Sequence, residues 1–92
     1  MSSKESKSKI EESINVEDIY TLLELTNEIQ TITGNDPLSE VSEDVLLDNK
    51  SVTATFVKGD ETVYINIEFE LLNVNIENTI NSEVEIKSID LL

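Results

Sequence analysis

Between Val52 and Leu71 apolar and polar residues alternate almost without a break, and this limits the fold more than any other feature of the chain. Side chains of a strand point to opposite faces in turn, so such alternation describes strands buried on one side only. Val52, Ala54 and Phe56 form the first apolar set. Val63, Ile65, Ile67, Phe69 and Leu71 form the second, and Lys58-Gly59-Asp60-Glu61 between them reads as a turn. A four-residue loop there sets Phe56 opposite Val63, Ala54 opposite Ile65 and Val52 opposite Ile67. Apolar then meets apolar at every inward position, so the register supports itself.

The last segment, Glu83 to Leu92, changes parity midway. Val84 and Ile86 occupy one set of alternate positions, Ile89 and Leu91 the other. One extra residue at Lys87-Ser88, a β-bulge, restores a single inward face. Phe69 then faces Ile86, Ile67 faces Ile89, and Ile65 faces Leu91. The Asn-rich stretch from Asn73 to Ser82 supplies the connecting turn.

The N-terminal half switches to a helical period. Ile19, Leu22, Leu25, Ile29 and Ile32 recur at spacings of three and four, with Leu23 beside them. Asn15 and Asp18 stand at capping-box spacing, and Ile14 and Ile19 at the two positions of a hydrophobic staple. The predicted helix therefore begins at Asn15 and ends at Gly34, with Pro37 beyond it. Asp36 and Pro37 can cap and open a short second helix over 37–47, with Leu38, Val41 and Val45 inward. Alternatively, Val45-Leu46-Leu47 is a short strand. Residues 1–13 are a Ser, Lys and Glu sequence with little apolar surface, and read as a flexible tail. The expected fold class is α+β: residues 14–92 form a single domain, one N-terminal helix packed on a three-stranded antiparallel meander.

Charge bounds the function. Twenty acids against six lysines, with no Arg or His, give a net charge of −14. Residues 1–9 carry three lysines and one acid, so the rest of the chain, with nineteen acids and three lysines, stands at −16. A body charged in this way repels nucleic acid and anionic membranes, and its natural partners are basic protein surfaces. The N-terminal residues lead into no apolar run of the kind a secretion signal needs, and no stretch is long enough to span a bilayer, so a cytoplasmic protein is expected.

Catalysis is poorly provided for. Without His or Cys the chain lacks the commonest general base and the best nucleophile. No cofactor motif is present. Asp36, Glu40, Glu43, Asp44 and Asp48 cluster in sequence but not in the register of a calcium loop, so no metal site is expected.

Two acidic surfaces remain as candidate partner-binding sites. The outer face of the sheet would carry Tyr64, Glu68, Glu70, Glu83 and Glu85, with Glu70 directly opposite Glu85, a like-charge pairing that costs stability. Glu17, Glu24 and Glu28 would form a stripe on the exposed side of the helix. Acids about 6–7 Å apart along a strand can imitate a phosphate backbone. The expected function is that of a non-enzymatic acidic binding protein. It would be an inhibitor or nucleic-acid mimic occupying the basic surface of a nuclease or another nucleic-acid-binding protein. The analogy is with phage and mobile-element inhibitors of restriction or CRISPR systems, in charge and size and not in any motif. The alternative is a structural or self-associating module, a homo-oligomer whose acidity serves only solubility.

Overall fold

A computed structural model describes residues 3–92 of the chain. Its elements run α1 (Ser3–Ser13), β1 (Ile19–Thr21), α2 (Leu22–Thr33), α3 (Glu43–Asn49), β2 (Ser51–Lys58), β3 (Glu61–Asn73) and β4 (Glu83–Leu91), with single 3-10 turns at Pro37–Ser39 and Thr79–Asn81. The architecture is α+β. The strands form one antiparallel sheet in the order β1-β4-β3-β2. One strand more than the expected three is present, because Ile19-Tyr20-Thr21 pairs with Glu83-Val84-Glu85 of β4.

The meander follows the alternation residue for residue. Phe56 pairs with Val63, Ala54 with Ile65 and Val52 with Ile67. On the other side of β3, Phe69 pairs with Ile86, Ile67 with Ile89 and Ile65 with Leu91. The register between β3 and β4 shifts at Glu68/Phe69, where Ser88 faces Glu68 and Ile86 faces Phe69, leaving Lys87 as the extra residue. A second shift, between Leu71 and Asn73, leaves Leu72 unpaired. Bulges sharpen the local twist, and here they keep Val84, Ile86 and Ile89 on one buried face.

The N-terminal half departs from expectation twice. The helix begins at Leu22 instead of Asn15. Thr21 closes a capping box with Glu24: the Glu24 N–H donates to Thr21 Oγ1 at 3.1 Å, and the Thr21 N–H to Glu24 Oε1 at 2.9 Å. Asn15 and Asp18, at the same spacing, bond to each other and stabilise a turn. The chain between the two sites runs along β4, where the Glu17 N–H donates to the Ile86 carbonyl at 2.8 Å and the Leu22 N–H to the Ser82 carbonyl at 2.9 Å. Leu22, Leu25 and Ile29 fill the apolar face of α2 as expected, whereas Ile19 and Leu23 are exposed. Gly34 ends the helix in the left-handed region.

Residues 3–13 form a helix where the sequence reads as a flexible tail; Met1 and Ser2 lie outside the described residues. Ser6 and Ile10 on that helix, and Ile14 just past its end, recur every four residues and draw one narrow buried line. The α1 helix packs on β3, β4 and α2, and α2 packs on β1 and β2, so both helices cover the same side of the sheet. The core joins Ile10 and Ile14 to Leu22, Leu25, Ile29 and the inward residues of β2, β3 and β4.

In the 35–50 stretch, Asp36 caps a turn that Pro37 opens, its Oδ1 accepting from the Leu38 N–H at 3.0 Å. Ser42 then caps α3, which buries Leu46 and Leu47 and leaves Val45, expected inward, exposed. Starting the helix at Glu43 instead of Pro37 rotates its face and turns Val45 out.

Replacing Ile10 with Ala distinguishes a packed α1 from a tail. We expect a loss of about 2–5 kcal/mol in urea unfolding, the usual cost of emptying a fully buried aliphatic site. A loss below about 0.5 kcal/mol, ordinary for surface substitutions, would show that α1 contributes nothing to the core.

Candidate functional site

With α1 and α2 on one side, neither covers the opposite face of the sheet, and the pleat decides what that face carries. Outward residues align in rows across the strands: Thr21, Glu83 and Asn73; then Ile19, Glu85 and Glu70; then Ser88, Glu68 and Ser51; then Asp90, Asn66 and Thr53. A last row joins Leu92 to Tyr64 and Thr55, the Leu92 N–H donating to the Tyr64 carbonyl at 3.0 Å. The face is therefore graded. Acids occupy the end near Glu83, and Leu92 and Tyr64, with Val57 on the neighbouring strand position, give the far end an apolar character. Glu68, Glu70, Glu83 and Asp90 are exposed, as are Tyr64, Val57 and Leu92, while Glu85 is half-buried.

Glu70 and Glu85 stand directly opposite each other. The bulge resolves their repulsion. Lys87 projects between them, its Nζ at 2.8 Å from Glu85 Oε2 and 3.2 Å from Glu70 Oε2. These two hydrogen bonds, to Glu85 first and Glu70 second, hold the lysine pKa above its ordinary value of 10.5. A lysine whose pKa is raised on folding stabilises fully below its unfolded value and loses that contribution as pH rises through the folded one. The clamp is accordingly complete at neutral pH. One cation thus serves two carboxylates, and Glu68, Glu83 and Asp90 have no ion-pair partner among the described residues.

The helix stripe does not form. Glu17 lies in the turn before β1, with φ at 78°, a left-handed conformation uncommon for a residue other than glycine. The carboxylate of Glu24 is committed to the capping box, and its hydrogen bonds from the backbone N–H and side-chain hydroxyl of Thr21 lower its pKa. Glu28 is half-buried. It adds, with the nearer Asp18, to the burial that raises the Tyr20 pKa. Glu24 and Glu28 remain one turn apart on α2, but Glu17 lies outside the helix, so the three acids do not form one stripe. The acids of residues 36–48 are also occupied in part: Glu43 accepts a 2.6 Å hydrogen bond from Thr79 Oγ1. Among the described residues no three potential metal ligands come together, and no helix is long and apolar enough to cross a membrane.

Sequence reasoning placed Tyr64, Glu68, Glu70, Glu83 and Glu85 on one face but overlooked Lys87, Asp90 and Leu92. The bulge itself was the available signal, since the residue it adds must project beside its outward neighbours. Beside β2 the face continues into a groove of about 460 Å³, whose other bank is formed by residues 35–41. No family model, curated protein or solved structure matches the chain.

The clamp is testable by Lys87→Ala. Leaving Glu70 and Glu85 unbridged should lower the urea midpoint at low salt, and screening should shrink the difference at high salt. In a Glu70→Gln background the same change should cost less. An equal loss at both salt concentrations would show that Lys87 acts by packing instead of charge.

Proposed function

We propose that this protein acts by binding and not by catalysis, and that its bare sheet face docks on the basic, nucleic-acid-binding surface of another protein. The observation that carries the reading is the lattice of Glu68, Glu70, Glu83, Glu85 and Asp90 on a face covered by neither α1 nor α2. Neighbouring strands lie about 4.8 Å apart and successive outward rows about 6–7 Å apart, so the carboxylates recur every few ångströms, as the phosphates of a nucleic-acid backbone do. A basic groove shaped for a nucleic-acid backbone would meet these carboxylates in place of its ligand. The protein would then be an inhibitor acting in the cytoplasm, of the kind phages and mobile elements direct against nucleases.

A second reading has its own support. Leu72, Val74 and Ile76 succeed one another at alternate positions across the end of β3, and Ile76 is 88% exposed. An apolar run in solvent can also serve self-association, with acidity maintaining solubility.

Capture from extracts of the source cell at low and high salt, followed by nucleic-acid-binding assays on the captured protein, tests the first reading. The wild-type chain should block that binding. Glu68→Lys, Glu70→Lys and Glu83→Lys should weaken the block, mainly through slower association and with a shallower salt dependence. Full inhibition by all three variants would remove the sheet face from the mechanism. A dimer in sedimentation that Ile76→Ser dissolves would favour the second reading.

A further inference from the structure

We propose that the groove beside β2 anchors the basic partner, and that it takes an extended segment bearing one bulky apolar side chain flanked by lysines or arginines. The inference rests on the reading of the sheet face as a docking surface and identifies where on it a partner is recognised by shape.

Three features of the groove determine its occupant. The first is apolar exposure. Val57, Tyr64 and Leu92 all line it, at 60%, 48% and 77% exposure. Single exposed apolar residues are ordinary, but three around one concavity at the edge of a charged face resemble the apolar centre of an interface. A volume of about 460 Å³ accommodates a large side chain with part of its backbone.

The second feature is charge. Asp36 and Glu40 stand on the opposite bank, Asp90 and Glu68 occupy the adjoining rows of the sheet, and no lysine lines the groove. An apolar side chain presented with cationic neighbours satisfies both the wall and its rim. A second copy of this chain would bring another −14 charges towards the same acids, so a basic partner is favoured over self-association here.

The third is the sheet edge. The Phe69 N–H donates to the Lys50 carbonyl at 2.9 Å, which makes Lys50–Phe69 a bonded pair and directs the even-numbered residues of β2 towards β3. Thr53, Thr55 and Val57 therefore turn their N–H and C=O groups to the open side. Asn35 Nδ2 takes the Thr55 carbonyl at 3.0 Å, which blunts part of the edge. Thr53 keeps both backbone groups available in the groove, and the main chain of an extended segment supplies matching partners.

The test is titration of the isotopically labelled full chain, followed by NMR, with two synthetic peptides at low salt: Lys-Lys-Leu-Lys-Lys and Lys-Lys-Ser-Lys-Lys. Both should shift the amides of Glu68, Glu70 and Asp90. Only the leucine peptide should also shift Val57, Tyr64 and Leu92, and it should bind about tenfold more tightly, as burial of a leucine side chain implies. Val57→Ser, a change on an exposed strand position, should abolish that advantage without altering affinity for the serine peptide. Equal affinities with no shift at Val57, Tyr64 or Leu92 would overturn the groove as anchor while leaving the acidic face in place. A leucine advantage that survives in Val57→Ser would place the anchor elsewhere and equally overturn it. If neither peptide shifts any resonance, the proposal falls together with the docking face on which it rests.

Discussion

Burial of the inward face of β3 is the constraint on which the rest of this structure depends. Ile65, Ile67 and Phe69 are shielded by β2 on one side, β4 on the other and the helices above, and none is more than 3% exposed. A one-residue slip of either neighbour would turn its apolar side chains into water, so registry is specified strongly. On β4 this requirement meets a sequence whose parity changes after Ile86. The bulge reconciles the two by letting one residue leave the count, and that residue is Lys87. Packing on the inside thus determines where the cation stands on the outside.

The outer face is held to no such standard. Its side chains contribute little burial, so their identity is free to follow solubility or recognition. Glu83, Glu85, Glu70, Glu68 and Asp90 lie on this face around a single lysine. Elsewhere, Glu24 closes the capping box, and Glu43 holds the Thr79 hydroxyl. The sheet face gathers negative charge even though Glu70 and Glu85 hold Lys87 and Glu68 accepts from the Ser88 hydroxyl at 3.4 Å. It is also where the apolar groove opens, and charged rim with apolar centre is the usual composition of a recognition surface.

How much of this could be read from the chain follows from the range of each interaction. The pairings of β2, β3 and β4, the bulge and the Glu70–Glu85 juxtaposition come from period-two patterning between neighbouring segments, and the structure bears them out. The α1 helix was illegible because its buried line, Ser6, Ile10 and Ile14, has only two apolar members within a polar sequence; only the tertiary surface beneath it makes the pattern meaningful. The start of α2 was misread because Asn15 with Asp18 and Thr21 with Glu24 offer the same spacing. The second caps the helix, and Ile19 and Tyr20 pair with Glu85 and Val84 of β4 instead of joining it. That same shift removed Glu17 from the helix that carries Glu24 and Glu28. The groove escaped notice for a related reason: residues 35–41 come beside β2 through the Asn35–Thr55 bond, a contact between segments with no shared periodicity.

If the inward face alone sets the register, the extra residue of β4 is dispensable for folding. Removing Lys87 leaves Val84, Ile86, Ile89 and Leu91 in unbroken alternation with Glu85, Ser88 and Asp90. The direct measurement is the pattern of cross-strand NMR contacts in a Lys87 deletion variant. The expected result is a regular ladder in which Phe69 still faces Ile86, Ile67 faces Ile89 and Glu70 faces Glu85, now without a bridging cation. Loss of the Phe69–Ile86 or Ile67–Ile89 contact, or an unfolded chain, would contradict it and show that the bulge itself holds the sheet together.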